Sequence, residues 1–401
     1  MAEIEECLSD FLSEIKPKSE VRKVHITECY GKIASEDIYA PMMVPHFPKS
    51  AMDGYAVFSG DLSACDKEHP VKFKVVAEIC AGDCKDVSYE KNTAVRIMTG
   101  AMVPEGCDAV IRQEDTDYGM DYVEIYSSAK PYMNYCRVGE DIQEGELVVP
   151  KNTRITSVHA GLLSSLGIEW INVYEDLKAA IISTGSEITE IGTPLSGGKI
   201  YNSIAYVLLG AITREGFCVT SHTSCVDEKE ALKAHIEEKI NEADVLITTG
   251  GVSVGVKDLI PYVMEELGAK QIFYRANIQP GTPTMGWIYK DKPVLCLSGN
   301  PYAAIANFEI YFWEIAAEMM HNDFYRPKIC KAVLKSEYTK VNRLRRFIRA
   351  NCVDGIVTIP SDNHASSVIR NMTECNCFID LKAGDKVSVG DMVTVRFIRS
   401  I

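Results

Sequence analysis

Between residues 243 and 258 the chain reads ADVLITTGGVSVGVKD, an apolar β-rich run that empties into a glycine and serine loop opening a helix. Backbone amides at a helix start have no partners within the helix, so the loop suits a phosphate or another anion. Gly250, Gly251 and Gly255 let the backbone approach a ligand closely, Ser253 adds a hydroxyl, and Asp258 offers a carboxylate for a metal or a ligand hydroxyl. The spacing is not GxxxxGK[ST], so this is no Walker A loop. Alone, such a turn is as readily structural as functional. Further loops shift that balance. Thr184, Gly185 and Glu187 form a second turn, with Asn202 and Ser203 at the start of the helix that follows. Pro280, Gly281, Thr282 and Pro283, and then Ser298, Gly299, Asn300 and Pro301, supply two more rigid loops. Together these loops are expected to line one phosphate-binding crevice.

Carboxylates also recur at turns elsewhere, at Asp53, Asp108, Glu114 and Asp141. Asp in a turn usually caps its own backbone. Several oxygen ligands near a phosphate equally suit a hard ion such as Mg2+, which would neutralise charge and activate water. The 8 histidines are scattered, no Ser/His/Asp or Cys/His triad can be read, and His46 and His364 read as surface or packing residues. The 14 cysteines include no CxxC pair, which favours reduced, mostly buried thiols over zinc or disulfides. A net charge of -14 opposes nucleic acid or an anionic membrane as the main partner. No run reaches the roughly 18 uncharged apolar residues of a membrane span, because Glu309, Glu314 and Glu318 interrupt the most apolar one. The acidic start of the chain is unlike a secretory signal, so a cytoplasmic protein is expected.

The elements that must position these residues are those of a multidomain α/β plus β protein. Across 177–320, strands expected at 179–183, 218–223, 245–249 and 294–297 alternate with helices at 204–215, 228–241, 259–267 and 303–319. That alternation describes a central three-layer α/β domain with a mainly parallel sheet, whose ligands belong beyond the carboxyl ends of the strands. Short strands at 71–78, 93–98, 109–112 and 122–126 predict a β-rich insert domain over 39–142. Residues 1–38 and 143–176 are read as one discontinuous linking domain. The α/β domain is placed at 177–326, and β patterning from 327 to 401 predicts a C-terminal β-barrel-like domain.

The chain resembles the molybdopterin molybdenumtransferases, a family that includes bacterial MoeA and the E domain of gephyrin. The resemblance runs nearly end to end. It is carried by SAMDGYA at 50–56, RIMTGA at 96–101, PEGCDAV at 104–110, GED at 139–141, STG at 183–185, TGGVSVG at 249–255, PG at 280–281 and GNP at 299–301, in the family's order and approximate spacing. It implies an elongated homodimer in which the α/β domain of one subunit faces the insert domain of the other. It implies adenylylated molybdopterin and molybdate as substrates, release of AMP, and Mg2+ or a similar ion. Asp53, Thr99, Asp141, Glu187, Asp227 and Asp258 then become the catalytic acidic and hydroxyl set, with Glu187 and Asp258 toward the metal. Thr184, Gly185, Ser203, Gly250, Gly251, Ser253, Gly255, Pro280, Gly281, Pro283 and Asn300 become pterin-nucleotide contacts. Arg349 and Ser366 become oxyanion contacts. A molybdopterin adenylyltransferase or a recipient molybdoenzyme is the implied protein partner.

The departures concentrate at the anion site. Where the family usually has KPGKP, this chain has Gln279 and Thr282 around Pro280 and Gly281, so two ammonium groups are missing; Arg275 and Lys257 are the candidate replacements. Ser186 and Asn202 stand where the family usually has Asp, Ile204 for an Asn and Ser298 for a Pro. Two readings follow: an enzyme that cleaves the adenylyl group and inserts molybdate, or a molybdopterin-binding carrier or scaffold that has lost metal insertion.

Overall fold

The computed structural model describes residues 1–252, 258–360 and 364–399. Its largest unit is a six-stranded sheet. Lys178–Thr184, Cys218–Cys225, Val245–Thr249 and Lys292–Leu297 run parallel, and Met285–Tyr289 and Lys270–Tyr274 extend one edge antiparallel. Those last two strands are absent from the sequence reading. KQIFY and MGWIY carry one β pattern each and are separated by the loop around Pro280, so only their pairing defines them.

Alternation sorts the first strand's side chains onto two faces. Ala179 and Ile181 pack into the core shared with helices Ser203–Arg214 and Pro301–Met319, whereas Ala180 and Ile182 pack toward Lys229–Glu242 and Ile260–Glu266. Both faces are therefore covered, as apolar parallel strands require. The N-terminal helix Ile4–Ser13, opened by a reciprocal Glu3–Glu6 cap, buries Ile4, Cys7 and Phe11 on one stripe, with the Phe11 ring edge-on to Phe273.

Helix Pro301–Met319 is buried on nearly every side, and its one deeply buried charge, Glu309, accepts hydrogen bonds from the Trp313 indole (3.0 Å) and the Arg399 amide (2.8 Å). One flank of this helix meets the α/β sheet and the other meets a second six-stranded sheet, residues Phe347 and Phe378 included. In that second sheet Arg345–Val353 pairs with both Ile356–Thr358 and Cys377–Leu381, and Ile329–Leu334 and Met392–Phe397 complete a barrel-like closure. The short strand Ile278–Gln279 leaves the α/β part of the chain and adds to this sheet, parallel to Arg345–Val353.

A five-stranded sheet holds Gly54–Val57, Val71–Ile79, Thr93–Ile97, Ala109–Arg112 and Tyr122–Ile125. Gly54–Val57 lies inside it, although the sequence marked that segment only as a turn motif. Residues on both sides of this sheet pair as well, with Val21–His25 against Trp170–Tyr174 and Ile38–Tyr39 against Leu147–Val149. All 14 cysteines are free thiols, most of them buried, and no helix among the described residues is long and apolar enough to cross a membrane.

Arg345 ties the ends of the chain together. Its guanidinium holds Asp380 in a bidentate pair (2.7 and 2.6 Å) and reaches Glu5 on the N-terminal helix (2.6 Å), while only 8% of the residue is exposed. Removing one partner of such a pair strands a buried charge. Asp380→Ala is expected to destabilise the protein by about 3 kcal/mol, read as a lowered urea midpoint, whereas the outer contact Glu5→Ala is expected to cost under about 1 kcal/mol.

Candidate functional site

The parallel strands end in register. Ser183 lies opposite Thr249, Thr249 opposite Leu297, and Thr184 opposite Cys225, so the loops that follow rise from one crest. The chain passes from Lys178–Thr184 to the strand on one side and then returns to the strand on the other. The crest between Thr184 and Thr249 is thus a topological switch point, where open α/β sheets bind ligands. A cleft of about 840 Å³ opens there, bounded on its far side by the second six-stranded sheet.

Backbone packing sets the floor of the cleft. Gly250, at φ 87°, passes so close to the neighbouring strand that a Cβ would lie 2.4 Å from the Thr184 carbonyl oxygen. Thr184 Oγ1 donates to the Thr249 carbonyl (3.2 Å) and the Gly250 amide donates to that of Leu297 (3.0 Å), which locks the loop to its neighbours. Gly281, at φ 90°, is held as tightly: a Cβ there would lie 1.9 Å from Asn307 Nδ2, which donates to the Gly281 carbonyl (3.0 Å).

Of the residues singled out in the sequence, Thr184, Gly185, Glu187, Asp227, Gly250, Gly251, Asp258, Pro280, Gly281, Pro283, Asn300 and Ser366 line this cleft. Asp227 also accepts the Ser186 amide (3.0 Å), closing the second turn. Ser253, Gly255 and Lys257 fall outside the described residues. Ser203 is exposed at the start of its helix and does not line the cleft; Asn202 caps that helix, accepting the Ala205 amide (3.2 Å).

Arg349 does not line the cleft but lies next to it. Its side chain lies fully buried beneath the cleft, stacked on Tyr302 (3.9 Å to the ring) and donating to the carbonyls of Ala365 and Val368 and to Asn371 Oδ1. Those bonds tie Arg349 to the loop that presents His364 and Ser366. Arg275 is likewise not among the described residues that line the cleft.

Two ionisable side chains of the lining were missed by the sequence reading. His364, taken as surface or packing, forms part of the wall, with Nε2 donating to the Pro360 carbonyl (2.8 Å). Burial pushes its imidazole below the ordinary value, and the nearby Arg349, Arg346 and Lys340 push it in the same direction. Arg346 also lines the cleft, and only its place in the strand register would have distinguished it from Arg345.

Asp53, Thr99 and Asp141 stand apart from this cleft. The pairing of Gly54 with Ile97 brings Asp53 beside Thr99, whose amide and hydroxyl both donate to Asp53 Oδ1 (2.7 Å each). These hydrogen bonds hold the Asp53 carboxyl below the usual carboxylate range. Asp141 is exposed on the turn after Gly139. Asp108 is a structural cap, taking the Ser59 amide (2.6 Å) and hydroxyl (2.7 Å).

This combination of a switch-point cleft, glycine floor and acidic lining defines an α/β protein with a ligand-sized cleft beyond the carboxyl ends of its parallel strands. Residues 2–167 match the MoeA N-terminal region (domain I and II), 180–317 a probable molybdopterin binding domain, and 331–398 the MoeA C-terminal region (domain IV). The chain is 33% identical over 387 residues to the molybdopterin molybdenumtransferase of Staphylococcus epidermidis, covering 95% of this chain and 92% of that protein. It is 33% identical over 390 residues to the Bacillus subtilis protein of the same name, covering 95% and 91%. A molybdopterin biosynthesis MoeA protein from Pyrococcus horikoshii superposes with a TM-score of 0.87 at 30% identity, covering 99% of each chain. The chain belongs to the molybdopterin molybdenumtransferase family.

The close approach at Gly250 yields a direct test. Gly250→Ala meets backbone, which cannot swing aside, and is expected to cost at least about 2 kcal/mol in urea unfolding. Gly299→Ala, whose Cβ would sit 3.4 Å from Gly250 Cα, serves as the control and is expected to cost less than about 1 kcal/mol.

Proposed function

We propose that this chain cleaves adenylylated molybdopterin and places molybdate on the pterin dithiolene. The observation that carries the reading is the two-sided cleft at the switch point. Glu187, Asp227 and Asp258 line it from the α/β side, and Arg346, His364 and Ser366 line it from the barrel side. Thr184, Gly185, Gly250 and Gly251 offer a close-packed floor for the adenylyl phosphate.

The donor set fits Mg2+ as nucleotide enzymes bind it, through one or two carboxylates with water and phosphate completing the shell. Glu187 and Asp258 are the residues assigned to it. When bound, the ion supplies charge neutralisation at the phosphate.

The chain's own residues orient the phosphoanhydride and admit water from the acidic side. Water adds to the adenylyl phosphorus, the bond from that phosphorus to the oxygen bridging to the pterin phosphate breaks, and AMP leaves. Molybdate, held at the barrel side, then exchanges one oxygen for the two dithiolene sulfurs, and the two thiol protons leave with that oxygen as water. Retention of all three cleft carboxylates favours turnover over a carrier role.

Because Asp53, Thr99 and Asp141 stand apart from the cleft of their own chain, we assign them to the cleft of a partner in a homodimer. The divisions at 38/39, 142/143, 176/177 and 326/327 are kept as the proposed domain limits. Free thiols throughout suit a cytoplasmic protein, and a molybdopterin adenylyltransferase as donor and a molybdoenzyme as acceptor are the proposed neighbours.

Purified protein given adenylylated molybdopterin, Mg2+ and molybdate is expected to release AMP, and Asp258→Asn to lower kcat about 100-fold or more. Absence of AMP above background would overturn the reading. Mixing inactive Asp53→Ala and Asp258→Asn proteins under conditions of subunit exchange is expected to restore up to about a quarter of wild-type activity, as random pairing of half-sites gives; no recovery would refute the shared site.

A further inference from the structure

Away from the cleft, a second cavity holds more positive charge than its neighbours cancel. It measures about 150 Å³ and lies where residues 30–33, 154 and 176 meet the ends of helices Ser203–Arg214 and Pro301–Met319. Backbone pairing brings the first segments together: Ile33 bridges Arg154, and the Gly31 amide donates to the Ile155 carbonyl (2.8 Å). Both helices start near the cleft, after the lining residues Ile200 and Asn300, and finish here at Glu215 and Met320.

The carboxylates of this cavity are already engaged. Asp176 accepts from Lys32 Nζ (2.8 Å to each oxygen) and from Arg22 (2.8 Å), and Glu215 accepts from Arg399 (2.7 Å). Arg154 and Arg214 also line the cavity, and among the described residues neither has an ion pair. The described lining and its direct partners thus bring five cations, Arg22, Lys32, Arg154, Arg214 and Arg399, to two carboxylates. Each helix C-terminus carries about half a negative charge, so the two ends together leave roughly two positive charges unbalanced. This surplus sits in a chain whose net charge is -14.

Arg154 is held in place without a carboxylate. Its guanidinium lies over the Phe324 ring (3.9 Å to the centroid), and a Cβ at Gly31 would lie 3.2 Å from its Nη2. Stacking on an aromatic face uses the plane of the group and leaves its in-plane N–H donors for a ligand. Tyr325, itself buried, brings its hydroxyl to the same guanidinium; burial pushes that hydroxyl up to about 12, so it keeps its proton at neutral pH and can donate. At a share of about 30 Å³ per water, the cavity has room for about five waters, which suits one partly hydrated tetrahedral oxyanion and excludes a nucleotide.

We propose that this cavity binds a tetrahedral dianion, held by Arg154 and Arg214 with Lys32 and the Tyr325 hydroxyl beside them, and that the ion clamps residues 30–33 and 154 to the ends of the two helices. Two guanidiniums present N–H donors in fixed forks, the recognition suited to a phosphate-like ion. Inorganic phosphate, sulfate and molybdate share that chemistry. The site is separate from the cleft and does not rest on the reaction proposed above.

The test is calorimetric titration of sodium phosphate into the full chain at low ionic strength, with AMP and Mg2+ present to occupy the cleft, alongside thermal melts in phosphate or in sodium chloride of matched ionic strength. Wild type is expected to bind phosphate saturably and, at 100 times Kd, to melt about 2 °C higher or more, an effect chloride does not give. Arg214→Gln, at an exposed helix end, is expected to keep the unliganded melt and to bind at least about tenfold more weakly, and Arg154→Gln to lose at least as much. Asp176→Asn removes the carboxylate that competes for Lys32. It is expected to tighten phosphate binding about threefold or more while lowering the unliganded melt, whereas an ion-pair cluster of structural role alone would show only the lower melt. Sulfate and molybdate are expected to displace phosphate; a cavity that takes molybdate and refuses phosphate would overturn the site. Loss of binding in Arg346→Gln with none in Arg154→Gln or Arg214→Gln would place the ion in the cleft and overturn it too. So would the absence of saturable phosphate binding by wild type.

Discussion

The buried helix Pro301–Met319 is the constraint on which the cleft depends. Its first turn begins at the Gly299-Asn300 loop, one wall of the site. Asn307 reaches from the helix interior to the Gly281 carbonyl and fixes the loop of Pro280 and Gly281. The Tyr302 amide donates to the Ser366 carbonyl (2.9 Å), and the Tyr302 hydroxyl donates to the Phe347 carbonyl (2.7 Å) while accepting from the Arg349 amide (3.0 Å). One element therefore sets three walls that belong to segments far apart in sequence.

Such a helix can hold those loops because it has almost no solvent face. Aromatic stacking of Phe308 on Phe312, edge contacts of both with Trp313, and the satisfied Glu309 carboxylate leave it few ways to rotate or slide. A close-packed core transmits position, so a loop tied to this helix inherits its rigidity. The glycines at 250 and 281 complete the arrangement: Gly250 lets backbone lie against backbone and Gly281 admits the Asn307 amide, so neither leaves room for a side chain of its own to disturb the floor.

Charge is divided between the two sides of the site for a structural reason. The α/β loops that follow parallel strands carry the carboxylates, while the barrel strand Arg345–Val353 carries arginines on both of its faces. Arg345 serves the fold through Asp380 and Glu5, Arg349 serves the loop at 364–371, and Arg346 serves the cleft. Three arginines within five residues thus have three separate roles, decided by which neighbours each direction offers.

Several features are determined by the sequence itself. The alternation of apolar strands and helices across 177–320 specifies an α/β layer because covered parallel strands must be apolar on both faces, and the TGG and STG turns mark strand ends because few other residues tolerate those backbones. The motifs from 50–56 to 299–301 carry the family. What only the tertiary structure decided is which of these residues meet. The antiparallel edge strands and the crossing of Ile278–Gln279 into the barrel depend on pairings between distant segments, and neither composition nor local period encodes a partner. Arg346 and Arg349 look alike in sequence. Register and burial send one into the cleft and lock the other beneath it, because hydrogen bonds and close packing are settled in three dimensions.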